Sequence, residues 1–361
     1  MKKIALVHDF LLKLGGAERV LKVLADMFPD APIYTLLYDE KAVGSVFPKD
    51  RVRTSELQKL PKFIRSRQKY LFPRMPKAIE KFDFSEFDIV LSSNSAYAHG
   101  IITNSDTKHI CYCHSPMRYA WDWTHEYMKE QNLGRVKRGL ASYMLSKVRM
   151  WDQISADRVD EYIANSRTVR GRLMKYYRTD APIVYPPVDL SRFKAGRKHQ
   201  NYFLIVSTLT PYKRIDLAVK LFNKINKELV IIGDGPQAEY LQSIAGPNIQ
   251  FLGFKSDRET AEYFMNCRAF IFPGEEDFGI TPVEAMACGK PVLAFGRGGV
   301  TETVIEGETG EFFRKPTVES MEAGLARLLL NEKKYKPMHI RKHAEKFDQS
   351  KFKRKIKQLV G

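Results

Sequence analysis

Residues Ile271–Val292 read Ile-Phe-Pro-Gly-Glu-Glu-Asp-Phe-Gly-Ile-Thr-Pro-Val-Glu-Ala-Met-Ala-Cys-Gly-Lys-Pro-Val, and the pattern of this stretch decides the fold. It begins inside a short apolar run, Ala269–Phe272, of the kind a strand buried on both faces shows; Pro291–Phe295 repeats the signal. Between them Pro273-Gly274 opens a loop, and the spacing predicts a helix over about residues 281–287. Pro282 would sit in its first turn, where a missing N–H leaves nothing unsatisfied. Strand, loop, helix and strand in succession form a βαβ unit, which implies a parallel sheet. Glu276 falls in the loop and Glu284 on the first turns of the helix, on either side of Phe278-Gly279-Ile280. A helix N-terminus carries partial positive charge and attracts phosphate. Carboxylates accept hydrogen bonds from sugar hydroxyls. A ligand holding both groups suits this chemistry, with ordinary surface charge beside a helix start as the alternative for the two glutamates.

The same alternation extends both ways. Tyr202–Val206, Leu229–Ile232 and Ile249–Leu252 read as buried strands. The loop after the first holds Thr208 and then Thr210-Pro211-Tyr212-Lys213-Arg214, where Lys213 is either a mobile charge for phosphate or a solvated lysine. The last of the three ends in Gly253-Phe254-Lys255. In the first half of the chain, Lys3–His8, Ile33–Leu37, Ile89–Leu91, Lys108–Cys113 and Tyr162–Ser166 are the strand candidates. Gly15-Gly16-Ala17-Glu18 opens a helix running to about Met27. His114 directly follows a strand, which places it at the carboxyl end of a sheet, where open α/β folds bind ligands. Arg118, Tyr119, Trp121 and Asp122 crowd behind it. Residues 180–193 are extended and stiffened by Pro186-Pro187, and read as a hinge.

A chain of 361 residues exceeds what one hydrophobic core serves, so two domains are expected. Its net charge is +17, a field that calls for an anionic partner. The excess is concentrated. Arg51–Lys81 holds ten Lys/Arg against two acids, and Lys333–Lys357 holds eleven against two. The first of these segments interleaves its charges with Phe63, Leu71, Phe72 and Met75, as amphipathic helices on a surface would. No apolar run spans a bilayer, and Met1-Lys2-Lys3 leads straight into a strand instead of a signal peptide. Four cysteines suit reduced thiols in a cytosolic protein; Cys111 and Cys113 share a strand face as core residues, since no cysteine or histidine set completes a zinc site. No Asp-x-Asp run occupies a suitable loop, so no metal is expected. No Gly-x-Gly-x-x-Gly follows the first strand, which argues against a dinucleotide dehydrogenase. No recognition motif supports nucleic-acid binding.

The Glu276–Glu284 block resembles the glutamate-x-seven-glutamate signature of family 4 glycosyltransferases of the GT-B fold. His8-Asp9-Phe10 followed by Gly15-Gly16-Ala17-Glu18-Arg19-Val20 resembles the start of the same family, and Cys113–Asp122 resembles a motif of its bacterial mannosyltransferases. The resemblance covers nearly the whole chain. It implies an α/β fold with two facing Rossmann-like domains and a cleft between them. Residues 1–187 would form the acceptor domain, with the helix 349–361 packing back on it, and 188–348 the nucleotide-sugar domain. It further implies a retaining, metal-independent hexosyltransferase. His114, Lys213 and Glu276 would carry the chemistry. Gly16, Thr208, Lys213, Arg214, Phe254, Lys255, Phe278, Gly279, Ile280 and Glu284 would bind the donor. Family members usually carry an arginine where this chain has Thr208, which removes part of the expected diphosphate clamp. GDP-mannose is the favoured donor, with UDP- or ADP-sugars, or a UDP-sugar epimerase of the same fold, as alternatives. The implied partners are a nucleotide sugar, a lipid-linked saccharide acceptor and an anionic membrane surface, without a cofactor and without nucleic acid. The expected place is the inner face of the cytoplasmic membrane, with the basic segments against the lipid.

Overall fold

The computed structural model describes residues 2–65, 71–125, 128, 134–196 and 200–361. Arg67, Lys69 and Tyr70 of the first basic segment lie outside the described residues. The chain divides into two units, Met1–Tyr185 with Lys353–Gly361, and Pro186–Phe352. Each is built on a six-stranded, wholly parallel sheet.

In the first unit the strands are β1 (Ile4–Leu11), β2 (Ile33–Tyr38), β3 (Val52–Thr54), β4 (Ile89–Asn94), β5 (Lys108–Cys113) and β6 (Glu161–Ala164). They lie in the order β3-β2-β1-β4-β5-β6. Parallel strands need cover on both faces, which is why their sequences are apolar without alternation. Helix Gly16–Met27 packs on β1 and β4 and buries Val20, Leu21, Leu24 and Ala25. Each such Leu or Val contributes about 1.5–3 kcal/mol of transfer free energy.

A second core cluster combines Ala5, Val7, Leu36 and Val90 from the sheet with Leu57, Leu71, Met75, Ile79 and Phe84. This overturns part of the reading of Arg51–Lys81 as a peripheral amphipathic surface. Its apolar residues Leu71 and Met75 are buried and Phe72 is partly buried against the same cluster, because the sheet face would otherwise lack cover. Phe63 alone among the four interleaved residues is largely exposed.

The second unit repeats the plan with β7 (Tyr202–Val206), β8 (Glu228–Ile232), β9 (Ile249–Phe251), β10 (Ala269–Phe272), β11 (Val292–Phe295) and β12 (Gly310–Phe313). Their order is β12-β11-β10-β7-β8-β9. Counted within each unit, the first and fourth strands are neighbours in both sheets. The connections leave those two strands in opposite directions and open a crevice at their carboxyl ends, the place where such sheets bind ligands. All four cysteines are buried free thiols. Among the described residues no helix is long and apolar enough to cross a membrane.

Candidate functional site

In the second unit the crevice lies between the loops that follow β7 and β10. After β7 the chain passes through exposed Thr208 to a single helical turn, Pro211–Lys213. Arg214 then takes a left-handed backbone (φ 52°) that turns the chain into helix Ile215–Ile225. This folds the Lys213 side chain inward, where its ammonium lies 4.9 Å above the Tyr212 ring. Arg214 is turned to Asp216, with Nε donating at 3.2 Å.

After β10 the loop rises through Pro273-Gly274 to Glu276, and the Glu276 carboxylate pairs with the Lys213 ammonium. Gly274 makes the approach possible: a Cβ there would lie 2.8 Å from Lys213 Cα and 2.9 Å from its carbonyl oxygen. The far side of the loop is fixed by Gly298-Gly299. The Gly299 N–H donates to Glu276 O at 2.8 Å, and a Cβ on Gly299 would collide with Asp277 O and Phe278 Cα. Phe278 is buried edge-on against Phe347, with ring centres 5.6 Å apart. Gly279 (φ 86°) then aims the chain into helix Ile280–Ala287, which carries half-buried Glu284 in its second turn.

Phe254 and Lys255 follow β9 at the same end of the sheet. Phe254 is 85% exposed, and Lys255 pairs with Glu259 at 3.3 Å. Thus the residues named from sequence in this unit all sit at the carboxyl ends of its strands, and Lys213 and Glu276 are brought into direct contact.

The first unit holds Gly16 and His114. Gly16 is the exposed first residue of its helix. Ahead of it the Gly15 N–H is held by Glu18 Oε2 at 2.9 Å, a local bond that fixes the helix start. His114 stands one residue beyond β5, with its Nε2 2.8 Å from the Ser93 hydroxyl. That hydroxyl lies 3.1 Å from His8 Nδ1, which also lies 3.0 Å from the Ser93 carbonyl. A carbonyl only accepts, so His8 carries a proton on Nδ1. The Ser93 hydroxyl, which can both accept and donate, thus links His8 to His114.

His8 Nε2 faces Glu18 Oε1 at 3.8 Å. Burial pushes the His8 pKa down, but the Glu18 hydrogen bond and charge, with help from Asp9 and the Ser93 carbonyl, bring it to a net rise. Burial likewise pushes Glu18 up, and His8 overturns that to a net fall. The close approach and the opposite displacements describe an ion pair between the middle of β1 and the first turn of the following helix. Asp9 next to it is structural: its carboxylate accepts four backbone N–H groups, from Ser95 to Ala98, at 2.5–3.1 Å.

The segment behind His114 is held just as firmly. Trp121 Nε1 donates to buried Asp152 at 2.7 Å, and the Trp121 ring stacks on Tyr176 at 4.7 Å. Asp122 pairs with Arg172 at 2.5 Å, and Arg118 lies 4.0 Å over the Trp123 ring. His8, Glu18, Ser93 and Asp152 were given no role from sequence. His8 and Glu18 at least flank the quoted glycines; nothing local marks Ser93 or Asp152, which act across the fold.

Family models match both units: "Glycosyl transferases group 1" over residues 188–347 and "Glycosyltransferase Family 4" over residues 14–192. An uncharacterised glycosyltransferase of Methanocaldococcus jannaschii is 28% identical over 191 residues, 52% of this chain and 54% of that one. An alpha-1,3/1,6-mannosyltransferase of Dictyostelium discoideum is 24% identical over 310 residues, 71% of this chain and 69% of that one. The chain therefore spans about half the length of the archaeal relative. Among solved structures, Anabaena Alr3699/HepE in complex with UDP and glucose superimposes with a TM-score of 0.73 at 17% identity, covering 100% of this chain and 99% of that one. At that identity the likeness speaks for the fold.

Proposed function

The chain belongs to the glycosyltransferases of group 1 and family 4, with the GT-B fold, and on that premise we propose that it is a retaining mannosyltransferase. It would move mannose from GDP-mannose to a lipid-linked or saccharide acceptor in cell-surface polysaccharide synthesis, without a metal, at the inner face of the cytoplasmic membrane. The observation that carries this reading is the Lys213–Glu276 pair at the switch point of the second sheet, beside the amino end of helix Ile280–Ala287. Breaking the anomeric C–O bond leaves negative charge on the diphosphate, and donors already aimed at that charge are commonly the largest catalytic term. An ammonium has three protons. In this reading one binds Glu276, which fixes the group in place, and the others meet the diphosphate together with the Gly279 and Ile280 amides. Glu276 also receives hydroxyls of the sugar, and Glu284 those of the ribose. The acceptor hydroxyl attacks the anomeric carbon on the face the diphosphate leaves, and the departing phosphate oxygen takes the acceptor's proton. Configuration is retained without a side-chain nucleophile.

Mannose is favoured by the Dictyostelium relative, named as a mannosyltransferase. UDP-glucose chemistry is the second reading, favoured by the UDP and glucose named in the structural neighbour. Thermal stabilisation by GDP, UDP and ADP separates the two. A ligand at one hundred times its dissociation constant adds about 2.7 kcal/mol, so the correct nucleotide stands out clearly. Stabilisation by GDP, followed by transfer of labelled mannose from GDP-mannose, is the expected result. Stabilisation by UDP alone would move the enzyme to the second reading.

A further inference from the structure

Helix Arg135–Ala156 has two apolar faces. One is buried in the first unit through Leu145, Val148 and Ala156, with Asp152 and Ser155 among them, Asp152 Oδ2 accepting from Trp121 Nε1 and Tyr177 Oη. The other consists of Val136, Leu140, Tyr143, Met150 and Ile154, each more than half exposed and Val136 at 88%. At 100° per residue these five fall within about 40° of one line, about 150° around the helix from the centre of the buried face, and the line runs about 27 Å along the helix. Residues 134–140 are exposed on every side of the helix. A surface helix ordinarily turns polar residues to water, so five large apolar side chains in register on the solvent side require a partner.

Charge identifies the partner. The helix carries Arg135, Lys137, Arg138, Lys147 and Arg149, and its single acid, Asp152, is buried. Lys147 lies within the apolar line itself. Against a second copy of this helix, the cations would face cations with no carboxylate to answer them. Against an anionic bilayer, Lys147 extends its stem along the apolar line and sets its ammonium among the headgroups, while the flanking cations add long-range attraction.

We propose that the Val136–Ile154 face of this helix docks the protein on an anionic bilayer surface. The face replaces the basic segment 51–81 as the apolar anchor, since Leu71 and Met75 of that segment are committed to the core. The proposal deepens the reading of an enzyme that meets a lipid-linked acceptor, and rests on that reading for its purpose alone.

The test uses the full chain with phosphatidylcholine vesicles, with and without phosphatidylglycerol. Wild type should sediment with the anionic vesicles and be released by salt. The variant Leu140→Ser/Tyr143→Ser/Met150→Ser/Ile154→Ser should bind at least about tenfold more weakly, as expected from removing that much apolar contact. It should melt as wild type does, since all four side chains are mostly exposed. Its stabilisation by nucleotide should be unchanged, which separates this proposal from the sugar-transfer reading. Because the four native cysteines are buried, Leu140→Cys can be labelled selectively with an environment-sensitive dye. Its emission should shift to the blue on anionic vesicles, whereas the same dye at Leu330→Cys, a residue 86% exposed in the other unit, should not respond. Absence of wild-type binding, a quadruple variant that binds equally well, or equal blue shifts at both labels would overturn the proposal. So would a lipid-free dimer that the quadruple variant disperses, which would assign the face to a second copy.

Discussion

Lys213 and Glu276 offer the sharpest test, because the same contact predicts both a stability cycle and a kinetic one. The two side chains are 11% and 26% exposed. Exposed pairs contribute about 0–1 kcal/mol, while breaking a buried pair costs about 3–5 kcal/mol. This pair lies between those limits, so Glu276→Gln should cost about 1.5–3 kcal/mol, the range of a hydrogen bond to a charged group. Lys213→Met should cost less, because the abandoned carboxylate retains more contact with water than the abandoned ammonium does. The double variant leaves no unpaired charge and should recover part of the loss, giving a coupling of roughly 1–2 kcal/mol. All three tryptophans, 121, 123 and 151, lie in the first unit, so their emission does not report on the unit that holds the pair. Urea unfolding followed by far-ultraviolet circular dichroism is the appropriate measurement. In kinetics, Lys213→Met should lower kcat by about a hundred- to a thousandfold, the loss expected when one donor to a developing anion is removed. Glu276→Gln should lower it as well, and the double variant should lose less than the product of the two. Strictly additive stability effects would show that the pair does not form in the free protein. A Lys213→Met enzyme with normal kcat would remove this lysine from the leaving-group site.

Gly299→Ala should lower the melting temperature and the turnover together, with about 1–3 kcal/mol lost to overpacking against the Glu276 loop; Gly139→Ala, in an exposed helical turn with nothing within 4 Å of the new methyl, should raise it slightly in the same thermal scans. The His8–Glu18 pair predicts a pH window. His8, raised above its ordinary 6.5, contributes stability that is full below that value and is lost as the pH rises through its folded pKa; Glu18, lowered below its ordinary 4.5, contributes above that value and fails as the pH falls through its own folded pKa. The melting-temperature difference between wild type and Glu18→Gln should therefore be largest between pH 4.5 and 6.5 and should shrink on both sides, and a flat difference would deny the ion pair. Thr208→Arg should tighten nucleotide binding in calorimetry if the loop has lost a clamp; weaker binding would make Thr208 a fitted part of its own loop.

The strands that sequence located best are those buried on both faces. Tyr202–Val206 and Ala269–Phe272 fall where their apolar runs placed them, because a parallel strand under two layers of helices has no polar side to interrupt the run. Two of the four edge strands, β3 and β12, gave no such signal. Val52-Arg53-Thr54 is three residues inside a basic segment, and Gly310-Glu311-Phe312-Phe313 carries a buried glutamate. Glu311 is tolerable there because Tyr335 and Asn331 donate to it at 2.8 and 3.1 Å and Arg327 faces its other oxygen at 3.5 Å, all from residues further along the chain. The basic segment itself misled for a related reason. Lysines and arginines on one side of a short element say nothing about whether Leu71 and Met75 on the other side meet lipid or a sheet.

The same limit governs the site. Lys213 and Glu276 were each identified from their own loop, but they stand 63 residues apart, and their contact depends on β10 lying beside β7 with β8 and β9 displaced to the far side. No local pattern states that order. Once it is known, both units place polar residues against each other across their first and fourth strands: His8 with Ser93, and Lys213 with Glu276. The two junctions differ in how the fold completes them. In the first unit the junction is closed by its own residues, since His8 is buried and bonded to Ser93 and paired with Glu18. In the second, a half-buried carboxylate and an ammonium meet beside a helix start, and this is the contact on which the proposed donor site rests.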